Sequence, residues 1–225
     1  MYLSQLRQLG RGTIPGAKKS VITNASFNLI LNEGVKDIAA YTVCLKTNKK
    51  FNVVASTFEY NLSEEIGDYL TVDGKLWWNN GSKWQPVYPR TLKWLDKNRP
   101  NWRDLGEGNP LYYSIDSDVL TINPTPNTSL TSGFWLYYGA APTQMTKDSD
   151  YPFSGSETEL THLSMFDYSI IAFARWRILP MLSKTVDADK LYQEYKAERQ
   201  EKFIMLNRRA DISNSPETRL QGPPV

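Results

Sequence analysis

The sequence predicts an α+β protein with a helical core and a central antiparallel β lobe. Three observations support this class: apolar residues recur at helical spacing near both ends, they alternate in the middle, and Asp-Gly and Asn-Gly pairs interrupt the alternating part. The predicted helical core comprises residues 1–50 and 142–207, as an N-terminal helix and a C-terminal helix hairpin. Residues 51–141 are predicted to form a β-rich lobe with a Trp-bearing hairpin, and residues 208–225 an extended C-terminal tail.

Two helices are predicted at the N-terminal end. The first is short and is expected to end at Gly10 and Gly12. The second spans residues 23–45, with Thr23 or Asn24 as its N-cap. Its apolar positions recur at intervals of three and four and form one stripe: Phe27, Leu31, Val35, Ile38, Thr42 and Leu45.

The alternating part of the chain begins as a β-meander. Residues 46–50 are predicted to form a turn and residues 51–60 a strand. The pairs within 73–74 and 79–82 are each expected to make a hairpin turn, because Asp-Gly and Asn-Gly favour the turns that join antiparallel strands. A short helix is predicted at residues 91–98.

Three further strands, rich in β-branched and aromatic residues, are predicted between residues 111 and 140 as antiparallel neighbours. In the middle strand, Leu120 and Ile122 face one way while Thr121 and Asn123 face the other. This alternation predicts one packed face and one solvated face. The prolines that follow require the strand to end there or to lie at an edge.

Two long helices are predicted near the C-terminal end, at residues 158–182 and 187–207. Ser156 or Thr158 is expected to cap the first, and Asp187 to start the second. The short connection between the helices predicts an antiparallel helix hairpin.

Composition narrows the functional classes. Charges of both signs nearly cancel at +2, so no concentrated basic face for nucleic acid is indicated. The chain has no apolar run that would span a membrane, and its first residues lack the apolar core of a signal peptide. Cys44, the only cysteine, suits a reducing compartment and is expected to be a small buried side chain. Seven Trp and thirteen Tyr are compatible with extensive subunit contact.

We expect no catalytic, cofactor-binding or metal-binding site. His162 is the only histidine, and the sequence has no Gly-rich phosphate loop. The carboxylate pairs Asp148/Asp150 and Glu157/Glu159 occupy a loop and a helix start, where acidic residues have local roles. The alternative is a small hydrolase that uses Asp148 or Glu157, which a substrate screen would test.

The tryptophans of the predicted hairpin, Trp77, Trp78 and Trp84, allow two interpretations. If all three were exposed on one face, they would stack on sugars or unpaired bases, and the chain would be a carbohydrate-binding tail module. The interpretation that we favour is that they cover the small sheet or a neighbouring subunit.

A series of short motifs follows the chain in order, from about residue 20 to residue 207. The motifs are Leu31-Asn-Glu-Gly-Val-Lys-Asp-Ile-Ala, Phe58-Glu-Tyr-Asn-Leu-Ser-Glu-Glu-Ile, Gly108-Asn-Pro-Leu-Tyr-Tyr, Leu120-Thr-Ile-Asn-Pro-Thr-Pro, Leu136-Tyr-Tyr and Met145-Thr-Lys-Asp-Ser-Asp-Tyr-Pro. A helix hairpin closes the series. In this order the chain resembles the head-to-tail adaptor (connector) proteins of tailed bacteriophages, particularly those of short-tailed phages.

The resemblance implies a structural virion protein at the head–tail junction, made in the host cytoplasm, and not an enzyme. It implies a homo-oligomeric ring, expected to be a dodecamer, bound beneath the portal protein and joined to tail or nozzle proteins. DNA would pass through the channel without sequence-specific binding, and neither a cofactor nor a membrane is implied.

Two sets of residues are expected to make the contacts that such a ring requires. The helix at 187–207 and the Trp-bearing hairpin are expected to supply the subunit interface, with Trp77, Trp78, Trp84, Tyr192 and Tyr195. In the family resembled, the C-terminal part of the adaptor reaches the portal. Our hypothesis is that residues 208–225 become extended and ordered on docking, that acidic groups meet Arg208, Arg209 and Arg219, and that an apolar notch receives Leu220.

Overall fold

The structure, a computed structural model, describes residues 1–104, 106–182 and 187–213. It divides the chain into two compact units. The helical unit consists of Met1–Thr42 and Pro142–Val225, and the β unit consists of Val43–Ala141. The predicted α+β class is therefore confirmed.

The secondary structure follows the chain as helix, sheet and helix. The α-helices are α1 (Leu3–Thr13), α2 (Asn24–Thr42), α3 (Leu62–Glu65), α4 (Leu92–Asn98), α5 (Asp167–Leu182) and α6 (Ala188–Ser213). The strands are β1 (Lys46–Val53), β2 (Glu59–Asn61), β3 (Tyr69–Asn79), β4 (Trp84–Pro89), β5 (Tyr112–Asp116), β6 (Val119–Asn123) and β7 (Leu130–Ala140). A short 3-10 helix, Thr161–Phe166, precedes α5.

Helix α1 is longer than predicted, because Gly10 lies inside it and does not end it. A Cβ atom at Gly10 would lie 2.7 Å from the ring of Phe27 in α2, so the glycine permits close packing of the two helices. The predicted cap of α2 is confirmed: the backbone N–H of Ser26 donates to Thr23 Oγ1 at 3.2 Å.

The C-terminal helices differ from prediction at two ends. The α-helix α5 begins at Asp167, after the 3-10 helix, so neither Ser156 nor Thr158 is its cap. Asp187 does cap α6, since Asp187 Oδ1 accepts from the N–H groups of Asp189 and Lys190, both at 3.0 Å. Helix α6 continues to Ser213, so the first residues of the predicted extended tail are helical. The first three residues of this extension, Arg208, Arg209 and Ala210, have high helix propensity, which favours continuation of the helix there.

The β unit contains a seven-stranded sheet in the order β1-β7-β3-β4-β5-β6-β2. All neighbours are antiparallel except β4 and β5. Strand β7 lies between β1 and β3, so the prediction that it neighbours β6 was wrong. The prolines after β6 end that strand at Asn123, as predicted, and the chain leaves the β5–β6 pair before β7 begins.

Two turn predictions in the first half of the sheet were wrong, and one is confirmed. Residues 46–50 belong to strand β1, which pairs with β7, and are not a turn. The Asp73-Gly74 pair lies within strand β3, where the register to β7 shifts between Val72 and Lys75. The turn at 79–82 does join β3 to β4, and Gly81 there has a φ of 89°, which favours glycine.

The core of the β unit is aromatic and lies on one face of the sheet. The ring centroids of Phe51 in β1 and Tyr60 in β2 are 6.0 Å apart, although these strands stand at opposite ends of the strand order. Both rings also pack on Phe134, at 5.4 and 5.5 Å. The sheet therefore curls until its two edge strands meet over a shared core.

Two burial predictions were wrong. Thr121 and Asn123 are buried, like Leu120 and Ile122, so β6 has no solvated face. The segment containing Trp102 covers the second face, and Asn123 Nδ2 donates to the Trp102 carbonyl oxygen at 3.1 Å. Cys44 is only half-buried, because α2 ends at Thr42 and leaves it outside the helix.

The chain begins and ends the β unit on adjacent strands. The N–H of Ala140, at the end of β7, donates to the carbonyl oxygen of Leu45, just before β1, at 2.8 Å. The first and last residues of the β unit therefore lie at the same end of the β1–β7 strand pair.

Candidate interaction surfaces

Two of the sequence motifs are joined by hydrogen bonds inside the helical unit. The side-chain amide of Asn32 in α2 donates to the Met145 carbonyl oxygen at 3.1 Å and accepts from the Met145 N–H at 2.9 Å. Two positions along, a Cβ at Gly34 would lie 3.0 Å from the Phe173 ring of α5. These motif residues therefore have structural roles: Asn32 holds a loop, and Gly34 lets α5 pack close.

The carboxylates considered for hydrolysis are engaged in the same loop. Arg7 of α1 donates to Asp148 Oδ1 at 2.6 Å. Asp150 Oδ2 accepts from the N–H groups of Lys147 at 2.7 Å and Thr146 at 2.8 Å, which holds the pKa of Asp150 below its usual value. Glu157 accepts from the hydroxyl of Ser149 at 3.2 Å. Each of these groups thus has a local structural partner.

Two motifs of the β unit also lie against each other. The N–H of Gly108 donates to the Thr125 carbonyl oxygen at 2.7 Å, and Gly108 forms a bridge with Pro126. The Pro126 carbonyl oxygen accepts from the N–H of Ser56 at 2.9 Å. The backbone carbonyl oxygens of the Pro-Thr-Pro segment therefore accept hydrogen bonds from the chain at both Gly108 and Ser56.

The face of the sheet that points away from this core carries a cluster of half-buried aromatic rings and a lysine. We call it the aromatic face, and it consists of Lys50, Trp77, Trp84, Trp135 and Tyr137. The Lys50 ammonium lies 5.1 Å from the ring centres of both Trp84 and Trp135. Trp135 packs on Trp84 at 5.5 Å and on Tyr137 at 5.2 Å. Trp135 Nε1 also donates to Asn48 Oδ1 at 2.8 Å, so the cluster is held in one arrangement.

Strand alternation removes Trp78 from this surface. Trp77 is in register with Trp135 of β7 and points to the same side, whereas Trp78 is opposite Phe134. Trp78 is only 1% exposed and packs on Phe134 at 5.6 Å. A sugar platform formed by Trp77, Trp78 and Trp84 together is therefore wrong, since the three do not share a face.

Three members of the aromatic face, Lys50, Trp135 and Tyr137, were not predicted to lie at an interaction surface. The alternation in Gly-Phe-Trp-Leu-Tyr-Tyr-Gly does separate Trp135 from Phe134. What it lacks is the partner strand: only the pairing of β7 with both β1 and β3 brings Lys50 and Trp77 beside Trp135.

A second group of rings and cations lies where β4, α4 and β5 meet. The Arg90 guanidinium is 5.0 Å from the Trp94 ring, and the Arg99 guanidinium is 4.9 Å from the Tyr112 ring. Trp94 and Tyr112 pack on each other at 5.4 Å. Both arginines therefore form cation–π contacts with aromatic rings of the same unit.

Helix α6 presents one of its two predicted interface tyrosines. Tyr192 is half-buried and lies 4.7 Å from the Trp176 ring of α5. Tyr195 is 1% exposed and donates its hydroxyl to Asp37 of α2, which also pairs with Arg199. Tyr195 therefore fixes α6 to α2 and is absent from the surface of the single chain.

The residues predicted to bind a portal lie at or beyond the end of α6. Arg208 is exposed on that helix. Arg209 belongs to the same helix, but its side chain lies outside the described part of the chain, as do Arg219 and Leu220. Their predicted contacts remain predictions.

Within residues 1–104, 106–182 and 187–213, His, Cys, Asp and Glu side chains nowhere form a group that would hold a metal ion. Across the same described residues, no helix combines the length and apolar character needed to cross a membrane.

Comparison with known proteins gives one finding that covers most of the chain. A family model described as SU10 adaptor protein matches residues 4–220. The matched range includes both compact units and every motif discussed above. A comparison with curated proteins found no match.

Proposed function

Because the chain belongs to the SU10 adaptor protein family, we propose that it forms a closed ring that joins the portal of a phage to its tail. Membership in the family makes the protein a structural adaptor of a bacteriophage virion. In the proposed assembly the ring is a dodecamer, its channel passes DNA without reading sequence, and tail or nozzle proteins bind its far side.

The observation that carries this proposal is the extent of the family match, residues 4–220. The match covers all of the β unit and nearly all of the helical unit, so it is not limited to one of the two units. The hydrogen bonds between motifs support the proposal, because within each unit they join matched segments that are distant in sequence.

Cyclic rings repeat one heterologous interface, so each subunit needs two different complementary surfaces. Trp77 and Trp84 on the aromatic face and Tyr192 on α6 are the predicted interface residues that are partly exposed. Half-buried aromatic side chains of this kind commonly anchor protein interfaces. Trp78 and Tyr195 support these surfaces from beneath.

Portal attachment is assigned to the C-terminal end of the chain, through Arg208, Arg209, Arg219 and Leu220. Arginine forms bidentate hydrogen bonds with carboxylates, which suits an acidic surface on the portal. Repetition of one modest contact around a ring would give avidity without a large single interface.

The proposal is tested by co-expressing this chain with the portal protein of the same phage and measuring the native mass of the complex. The expected result is a portal-bound ring with as many adaptor copies as portal copies. Portal protein alone is the control. Recovery of a monomeric chain both with and without portal would overturn the proposal.

A further inference from the structure

The aromatic face carries positive charge on its exposed rim. Lys50 of β1 is exposed and in register with Trp135, and Lys75 of β3 is exposed and in register with Tyr137. Neither lysine forms an ion pair within the part of the chain that the structure describes. The face therefore combines half-buried rings with cations that pair with no carboxylate of the described residues.

Exposed carboxylates gather at the other end of the strand order, around β2, α3 and the β5–β6 turn. We call this group the acidic corner, and it consists of Glu59, Glu64, Asp116 and Asp118. Asn61 of β2 donates to Glu64 Oε1 at 3.0 Å, and Ser63 donates to Asp118 Oδ2 at 2.8 Å, so residues of one short segment, 61–63, hold both carboxylates. Among the described residues, no lysine or arginine forms an ion pair with any of the four.

We propose that the aromatic face of one copy binds the acidic corner of the next copy. This inference rests on the ring proposed above and names the surfaces that close it. The two surfaces occupy different strands of one sheet and form no ion pair with each other among the described residues, so their opposite charges are available to pair between copies. A contact of this kind is heterologous, which is the type that generates rings.

The rings and the charges have different tasks in this interface. Apolar burial of Trp77 and Trp84 supplies most of the affinity, because aromatic anchors dominate protein interfaces. The pairing of Lys50 and Lys75 with carboxylates contributes little affinity at an exposed rim but fixes orientation and excludes the reverse arrangement. A second copy is favoured over single-stranded nucleic acid because the rings of Trp84 and Trp135 pack edge to face on each other and do not present parallel faces to bases.

Two multiple variants with opposite charge changes test the inference. Lys50→Glu/Lys75→Glu makes the aromatic face negative, and Glu59→Lys/Glu64→Lys/Asp116→Lys makes the acidic corner positive. Each variant alone brings like charges together and should need a roughly tenfold or higher concentration to assemble. An equal mixture restores attraction at every contact if the two variants alternate around the ring.

The measurement is native mass spectrometry of the portal-bound assembly, with the two variants distinguished by mass. The expected result is weak assembly of each variant alone and recovery in the mixture, with equal numbers of both variants. The matched control is Lys18→Glu/Lys19→Glu, which makes the same charge change on exposed lysines of the helical unit and should assemble like wild type. Because Lys50 stacks on two rings, Lys75→Glu alone repeats the test if the double variant melts at a lower temperature.

Three results would overturn the inference. Normal assembly of both variants would show that these surfaces do not meet. Failure of the mixture to recover would show that the charges act on another partner; loss of binding to a single-stranded oligonucleotide in the lysine variant would identify that partner as nucleic acid. Failure of the wild-type chain to assemble on the portal would overturn the ring itself, which distinguishes it from the first two results.

Discussion

At the scale of single residues, two buried tyrosines of the β unit differ in the partner of their hydroxyl groups. Tyr138 donates to Asp68 Oδ1 at 2.7 Å, whereas the Tyr113 hydroxyl has no partner among the described residues. Burial raises the pKa of Tyr113 to about 12. We expect Tyr113→Phe to leave the free energy of unfolding unchanged or to raise it, because it removes an unsatisfied polar group.

The matched variant Tyr138→Phe breaks a hydrogen bond and leaves Asp68 without its donor. It should lower the free energy of unfolding by about 1 to 3 kcal/mol. Urea denaturation followed by tryptophan fluorescence measures both variants. Equal losses of stability in the two would contradict this account of the Tyr113 hydroxyl.

Asp150 is expected to make stability depend on pH on the acidic side. Its pKa is lowered in the folded chain by the N–H groups of Lys147 and Thr146. The stabilisation is therefore fully present above the unfolded pKa, near 4, and is lost as the pH falls through the folded pKa. Melting temperatures between pH 7 and pH 3 should fall less steeply for Asp150→Asn than for wild type. Identical pH profiles would show that the carboxylate charge contributes nothing.

At the scale of elements, the Asn32–Met145 pair fixes the loop that precedes α5 to helix α2. Asn32→Ala leaves the Met145 N–H and carbonyl groups without this partner and should cost about 1–3 kcal/mol of stability. Gln144→Ala is the control, since that side chain is exposed and should change stability by less than about 0.5 kcal/mol. Chemical denaturation gives the free energy of unfolding of both variants. Equal losses of stability would argue against a stabilising role of the Asn32–Met145 hydrogen bonds.

How far the sequence predicts each element depends on how local its determinants are. The helix caps at Thr23 and Asp187 and the turn at 79–82 are set by neighbouring residues, and all three are found. Residues 46–50 were not predicted as part of a strand because their lysines and asparagine resemble a turn, and only pairing with β7 makes them the first half of β1. The same non-local pairing assembles the aromatic face, because it brings β1 and the β3–β4 hairpin to opposite sides of β7.

At the scale of the whole molecule, residues 43–141 should fold without the rest of the chain. The unit has a continuous core of its own, with Trp78, Phe134 and Tyr60 at its centre. A fragment of this length can bury enough apolar surface for a stable fold. We expect a cooperative denaturation curve and a near-ultraviolet circular dichroism signal from its tryptophans. A fragment carrying Trp78→Ala should lose about 3–5 kcal/mol, and a non-cooperative wild-type fragment would refute the prediction.

Deletion of residues 214–225 should separate portal attachment from folding. The deletion begins after the end of α6 at Ser213, so the described helices remain complete. The melting temperature should stay at the wild-type value, while the amount of adaptor that co-purifies with portal should fall at least tenfold. Normal recovery of the adaptor on portal would assign attachment to another part of the chain.

The hydrogen bond between Ala140 and Leu45 has an evolutionary consequence. Because the chain enters and leaves the β unit on adjacent strands, a recombination event with breakpoints near residues 43 and 141 exchanges a self-contained cassette. Any replacement unit whose two ends are equally close leaves unchanged the distance that the inserted chain must close. The entropic cost of closing a loop rises only slowly with its length. A single exchange between these two positions would therefore replace the β unit and leave the sequence of the helical unit unchanged.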